Sequence, residues 1–172
     1  MNSSKEIKIE KVTLNIGAGE AGDKLEKAVK LLNKISGLKP IKTKTMKRIP
    51  TWGIRPKLQI GCKVTVRGKK AEELLKRLLE AAKNILPETK FDNEGNFAFG
   101  IPEYIDIPGT EYEVDIGIIG LDVAVTLKRA GFRIKRRQIK KTKIPRKHRI
   151  SKEEAILFVK EKFNVEIEGE EK

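Results

Sequence analysis

The chain has one cysteine, Cys62, and one histidine, His148, in 172 residues. A single thiol excludes an internal disulfide and any zinc site built on several cysteines. A single imidazole excludes His–His metal pairs and leaves little for acid–base catalysis. No catalytic residues, no metal ligands and no cofactor are therefore expected. Aromatic residues make up only 5% of the chain, with one tryptophan, Trp52. That disfavours a nucleic-acid module resting on base stacking alone. No apolar run approaches the roughly 18 residues of a membrane span. The opening Met-Asn-Ser-Ser-Lys-Glu has no apolar signal core. Together these point to the cytoplasm and to no membrane partner. Acid is in short supply as well: 24 Asp and Glu stand against 38 Lys and Arg, a formal charge of +14. Such an excess calls for a polyanionic partner.

The cations are concentrated where acids are missing. Lys39 to Ala71 holds eleven basic residues and no acidic one. Lys128 to Arg149 holds twelve more, again with no acid. An acid-free segment cannot neutralise itself, and folding it against its own surface stacks like charges. The remedy is an external polyanion, and nucleic acid fits best. The first tract has an irregular centre, Arg48 to Gln59, with Pro50, Gly53 and Pro56 and the lone Trp52. His148 lies in the second tract and reads as one more polar contact.

Between the tracts the pattern is that of a mixed fold. Ile7 to Ile16 alternates, with Val12, Leu14 and Ile16 on one side and Lys11, Thr13 and Asn15 on the other. Gln59 to Arg67 repeats this, with Ile60, Cys62, Val64 and Val66 opposite Lys63, Thr65 and Arg67. Cys62 falls on the apolar side and reads as core, not nucleophile. Helical spacing predicts helices from Ala21 to Ile35, capped by Gly37, and from Ala71 to Ile85, stopped by Pro87. Phe91 to Ile101 reads as a polar turn leading into a short strand, with Phe91, Phe97 and Phe99 in the core. Tyr112 to Ile119 and Leu121 to Lys128 are expected as two further strands about Gly120. Ser151-Lys152-Glu153-Glu154 is a capping box that opens a last helix. The acidic tail 166–172 is expected to fray.

Gly17-Ala18-Gly19-Glu20-Ala21-Gly22, between strand and helix, has the form of a dinucleotide fingerprint. It lacks the ribose-binding acid about 20 residues on and a second strand–helix–strand repeat. A turn that starts a helix, or amides that meet an RNA phosphate, explains it more simply.

If the two alternating strands are neighbours, their outer rows form a patch of hydroxyl, amide and cation: Lys11, Thr13, Asn15, Lys63, Thr65 and Arg67. That mixture suits structured RNA better than a DNA groove, because no helix clusters Arg and Asn for groove readout.

Several blocks in order resemble one family. They are Lys11-Val12-Thr13-Leu14-Asn15-Ile16-Gly17-Ala18-Gly19-Glu20-Ala21, Ser36-Gly37-Leu38-Lys39-Pro40, Gly53-Ile54-Arg55, Ile60-Gly61-Cys62-Lys63-Val64-Thr65-Val66-Arg67-Gly68, and Phe91 to Ile101. The chain from about Lys11 to Val165 resembles the universal large-subunit ribosomal protein five family, and Arg129 onward looks like its archaeal and eukaryotic branch. The resemblance implies an α+β fold of two layers, an antiparallel sheet of about five strands with helices packed on one face. It implies one RNA-binding domain over residues 1–165 and a structural, non-enzymatic role in the large ribosomal subunit. The implied partners are 5S rRNA, large-subunit rRNA, P-site tRNA and ribosomal protein eighteen of the large subunit. Asn15 and Thr65 match family positions at the 5S rRNA contact, and the neighbouring Lys11, Thr13, Lys63 and Arg67 complete that surface. The family's tRNA loop corresponds to about 46–59, with Lys47, Arg48, Trp52, Arg55 and Lys57 as its contact residues. Arg133, Arg136, Arg137, Lys140, Lys141, Arg146, Lys147 and Arg149 are expected to meet further rRNA. Leu38 stands where many members carry Gln, and Pro56-Lys57-Leu58-Gln59 departs from the usual loop tip. A basic assembly or processing factor outside the mature ribosome is the competing reading.

Overall fold

The alternating β-branched stretch before Gly17 forms the central strand of the sheet, β1 (Lys8–Gly17). This is a computed structural model, and it describes residues 3–169. After β1 come α1 (Asp23–Ser36), β2 (Ile41–Lys44), β3 (Gln59–Val66), α2 (Lys69–Ala81), β4 (Ile85–Pro87), β5 (Phe97–Ile101), β6 (Leu121–Lys128), α3 (Lys152–Phe163) and β7 (Glu166–Glu168). Five strands form one antiparallel sheet in the order β2-β3-β1-β6-β5, and β4 pairs with β7 in a separate parallel pair.

One face of the five-stranded sheet is apolar. Val12, Leu14 and Ile16 of β1, Cys62, Val64 and Val66 of β3, and Val123 and Val125 of β6 are buried there. They share one core with Leu25, Ala28, Leu31, Leu32 and Ile35 of α1 and Leu74, Leu75, Leu78 and Leu79 of α2. Both helices are amphipathic, so one stripe of each closes the core while the sheet's other face stays open. Phe91, Phe97 and Phe99 are buried and stacked, with successive centroids 5.1 and 6.4 Å apart. Gly95 sits beside them at φ +78, and an added Cβ would lie 2.5 Å from Ile150 Cγ2, so only glycine fits this turn. Gly37 closes α1 in the left-handed conformation, and Ser151 and Glu154 make the reciprocal capping box of α3.

Four expectations change. Tyr112 to Ile119 is not a strand. Its amides close locally, Ile116 and Gly117 both donating to the Glu113 carbonyl, and only Ile116 is buried while Val114 and Ile118 are exposed. The fifth strand is instead β2, whose Ile41 is exposed and which shows no apolar alternation. The second helix stops at Ala81, before Pro87, because Lys83 and Asn84 turn into positive φ (58° and 55°). Ile85 is therefore exposed at the start of β4, and Leu86 is buried in its place. The acidic tail is paired over Glu166–Glu168, where β7 aligns with Ile85–Pro87 and the Glu166 amide donates to the Asn84 carbonyl. Residues 170–172 of that tail lie outside the described residues.

Candidate nucleic-acid interface

The two strands carrying the polar rows are direct neighbours. In the β1–β3 ladder Thr13 lies opposite Thr65 and Asn15 opposite Lys63. β6 extends the open face with Thr126 beside Lys11, Ala124 beside Thr13 and Asp122 beside Asn15. β5 then adds Ala98 and Gly100. The centre of this face is thus hydroxyls, one amide and small residues, with Lys63 and the exposed carboxylate of Asp122 on either side of Asn15. Short side chains leave the backbone approachable, and hydroxyl and amide groups suit ribose and phosphate oxygens.

Basic groups sit at both ends. Beyond Gly17 and Gly61, β2 and β3 continue into the 46–59 loop. The loop is a hydrogen-bonded hairpin tip: Thr45 and Leu58 pair through their backbone, as do Ile49 and Ile54 in both directions (3.0 and 3.1 Å). Lys47, Arg48, Trp52, Arg55 and Lys57 are all exposed on it, Trp52 at 72%. At the other end lie Lys11 and Arg67, and there the second basic tract meets the sheet. Arg133, Arg136, Arg137, Lys140, Lys141, Arg146, Lys147 and Arg149 are exposed along that tract. The sheet residues, the loop and Arg136 of the tract therefore lie on one path running along the strands.

Few of these cations are neutralised. In the first tract only Lys42, with Glu26, and Arg67, with Glu10, have an acidic partner among the described residues. In the second, Arg129 pairs with Glu154, Lys135 with Glu94 and Arg136 with Glu10. Arg129 is the one buried charged residue among those described, 7% exposed. It donates to the Lys5 carbonyl (3.0 Å), the Arg149 carbonyl (3.0 Å) and Glu154 Oε1 (2.7 Å). It is a structural tie, turned inward. His148 Nε2 lies 2.8 Å from the Ala130 carbonyl and its ring meets Phe132 edge-on. Cys62 is buried, and desolvation pushes its thiol up to about 11, so it is no nucleophile.

The glycine-rich turn does not cradle a nucleotide. The Ala18 and Gly19 amides both donate to the Ile60 carbonyl (2.9 and 3.1 Å), which ties the turn to β3. The sheet beneath it is antiparallel, without the parallel crossover that a dinucleotide fold requires.

Two family descriptions match the chain. "Ribosomal protein L5" covers residues 2–55, and the C-terminus of the same ribosomal L5 family covers residues 59–158. The chain belongs to the ribosomal protein L5 family. Similar relatives include the large ribosomal subunit protein uL5 of Sulfurisphaera tokodaii, 50% identical over 97% of this chain and 95% of that protein. That of Nanoarchaeum equitans is 51% identical over 95% and 96%. That of Methanobrevibacter smithii is 46% identical over 96% and 97%. In this L5 family member the two matched segments are not separate in space: β1 and β2 from the first interleave with β3 and β6 from the second in a single sheet.

Sequence reasoning missed one residue of the candidate interface. Glu10 carries the carboxylate that holds both Arg67 and Arg136. The signal was a change of parity. Ile7 and Ile9 are odd-numbered apolar positions, whereas Val12, Leu14 and Ile16 are even. A phase slip within a strand marks a bulge, and the β1–β6 register does shift between Ile9 and Lys11.

Proposed function

We propose that the open sheet face binds 5S rRNA, with the second basic tract on large-subunit rRNA and the 46–59 loop on P-site tRNA. As a ribosomal protein L5 family member the chain is a structural, non-catalytic constituent of the large ribosomal subunit in the cytoplasm. The observation that carries the finer reading is the cross-strand alignment of Thr13 with Thr65 and Asn15 with Lys63 on a face that the helices leave uncovered. Asn15 and Thr65 are exposed there and make no hydrogen bond through their side chains among the described residues. Their polar groups are free for an RNA partner. The unpaired cations at either end supply affinity, and the hydroxyl and amide centre supplies fit. Ribosomal protein eighteen of the large subunit is the neighbour that shares the 5S rRNA in this assignment.

The test is 5S rRNA binding by Asn15→Ala and Thr65→Ala. Each loses an RNA hydrogen bond and no internal one, so each weakens binding by about tenfold, or ~1.4 kcal/mol. Thermal midpoints stay at the parent value. Parent-like affinity in both variants would rule out the sheet face as the 5S rRNA contact.

A further inference from the structure

Glu10 is an acid placed in the middle of a cationic surface. It occupies the β-bulge of β1, between Ile9 and Lys11, where the ladder with β6 slips by one residue. The bulge lets Ile9 and Val12 both point into the core, and it turns the intervening side chains, Glu10 and Lys11, toward the open face. The Glu10 side chain is only 9% exposed. Arg67 of β3 approaches its Oε1 at 3.6 Å, and Arg136 of the second tract donates a hydrogen bond to the same oxygen. Both arginine side chains remain half exposed, at 56% and 50%.

Resting on the RNA-binding reading above, we infer that Glu10 is a positioning residue that builds an RNA phosphate site from Arg67 and Arg136. Two guanidinium groups repel one another, and nothing else among the described residues holds these two together. Arg67 comes from the sheet, and Arg136 from a segment with only short turns of 3-10 helix, which has no strand or helix to fix it. One shared carboxylate draws both to a single point. Each guanidinium has five N–H donors, so after bonding Glu10 each keeps donors for a phosphate. Glu10 thereby ties Arg136 of the second basic tract to Arg67 of the sheet and makes the two cationic surfaces continuous there.

The inference predicts an effect opposite in sign to simple electrostatics. Glu10→Gln raises the net charge by one, which on charge alone tightens binding to any polyanion. If Glu10 positions the two arginines, the same change weakens 5S rRNA binding, by about fivefold or more, and flattens its salt dependence by about one phosphate contact. Glu73→Gln, on the solvent side of α2, is the charge control and leaves binding unchanged or slightly tighter. In a double-mutant cycle, adding Glu10→Gln to Arg136→Gln costs little more, because the arm that Glu10 positions is already gone. Hydrogen exchange on the free protein provides a readout without RNA: the amides of Arg136 and Arg137, which donate to the Arg133 carbonyl, exchange faster in Glu10→Gln than in the parent. If the parent itself fails to bind 5S rRNA, the function proposed above falls, and the exchange result alone decides the role of Glu10. Unchanged exchange in the free variant, or 5S rRNA binding as tight as that of Glu73→Gln, overturns the inference.

Discussion

At the scale of single residues, the interface depends on which charges are committed to the protein and which are left for a partner. Arg129 belongs to the basic tract by sequence but is spent internally on two carbonyls and Glu154. Replacing it with Met removes the buried guanidinium that bridges both carbonyls and Glu154, and costs on the order of 3 kcal/mol. For a chain of this size that lowers the thermal midpoint by roughly 6–12 °C, which circular dichroism melts measure directly. Its partner Glu154 feels opposing influences: burial raises its pKa, but the Ser151 backbone amide and the Arg129 guanidinium outweigh it and hold the carboxyl below its ordinary 4.5. A carboxyl with a lowered folded pKa adds stability that is fully present above its ordinary value and lost as pH falls through the lower one. The parent should therefore lose stability below about pH 4.5 more steeply than Glu154→Gln does, as melts across an acid pH series would show. Equal slopes in the two proteins would mean that the Arg129–Glu154 pair does not couple to folding.

At the scale of elements, what the sequence reveals depends on whether a side chain or the backbone does the work. β1, β3 and β6 bury alternating apolar rows, so period two identifies them, and the capping box and Gly37 mark helix ends through their own chemistry. β2 is an edge strand held by backbone pairing to β3; its Ile41-Lys42-Thr43-Lys44 carries no buried row, so nothing in its side chains marks it. Tyr112 to Ile119 is the converse, an alternating run with no partner strand, where the Ile116 and Gly117 amides turn back onto the Glu113 carbonyl. The polar rows of the interface were legible for the same reason as β1 and β3, being the complement of the buried rows. Glu10 was not, because a bulge changes the face on which a residue lies. The 46–59 hairpin tip is a separable element: Ile54 is buried, but it stands outside the main core cluster. Replacing Arg48 to Lys57 with Asn-Gly should keep the fold, since it leaves four residues between the paired Thr45 and Leu58, a length that closes hairpins. We expect the shortened protein to bind 5S rRNA like the parent, and subunits reconstituted with it to hold P-site tRNA more weakly. Equal loss of 5S rRNA binding would contradict this division between face and loop.

At the scale of the whole molecule, the two acid-free tracts hold 23 basic residues. Five of them, Lys42, Arg67, Arg129, Lys135 and Arg136, have acidic partners among the described residues. A generic polycation that used the other 18 on phosphates would show a salt slope of roughly 13–16, and any RNA would compete equally. The arrangement argues against that. The loop cations and Arg136 of the tract lie toward opposite ends of the open face, so an RNA seated on Thr13, Asn15 and Thr65 engages only the cations that border it. In the proposed assignment, hydroxyl and amide groups at the centre supply contacts that salt does not screen. We therefore expect 5S rRNA binding to survive excess tRNA and to fall with salt on a slope well below the full-neutralisation value. A salt titration of labelled 5S rRNA, with and without unlabelled tRNA, measures both quantities in one experiment. A steep slope together with complete displacement by tRNA would mean that charge alone holds the RNA and that the Thr13–Thr65 and Asn15–Lys63 alignment has no part in recognition.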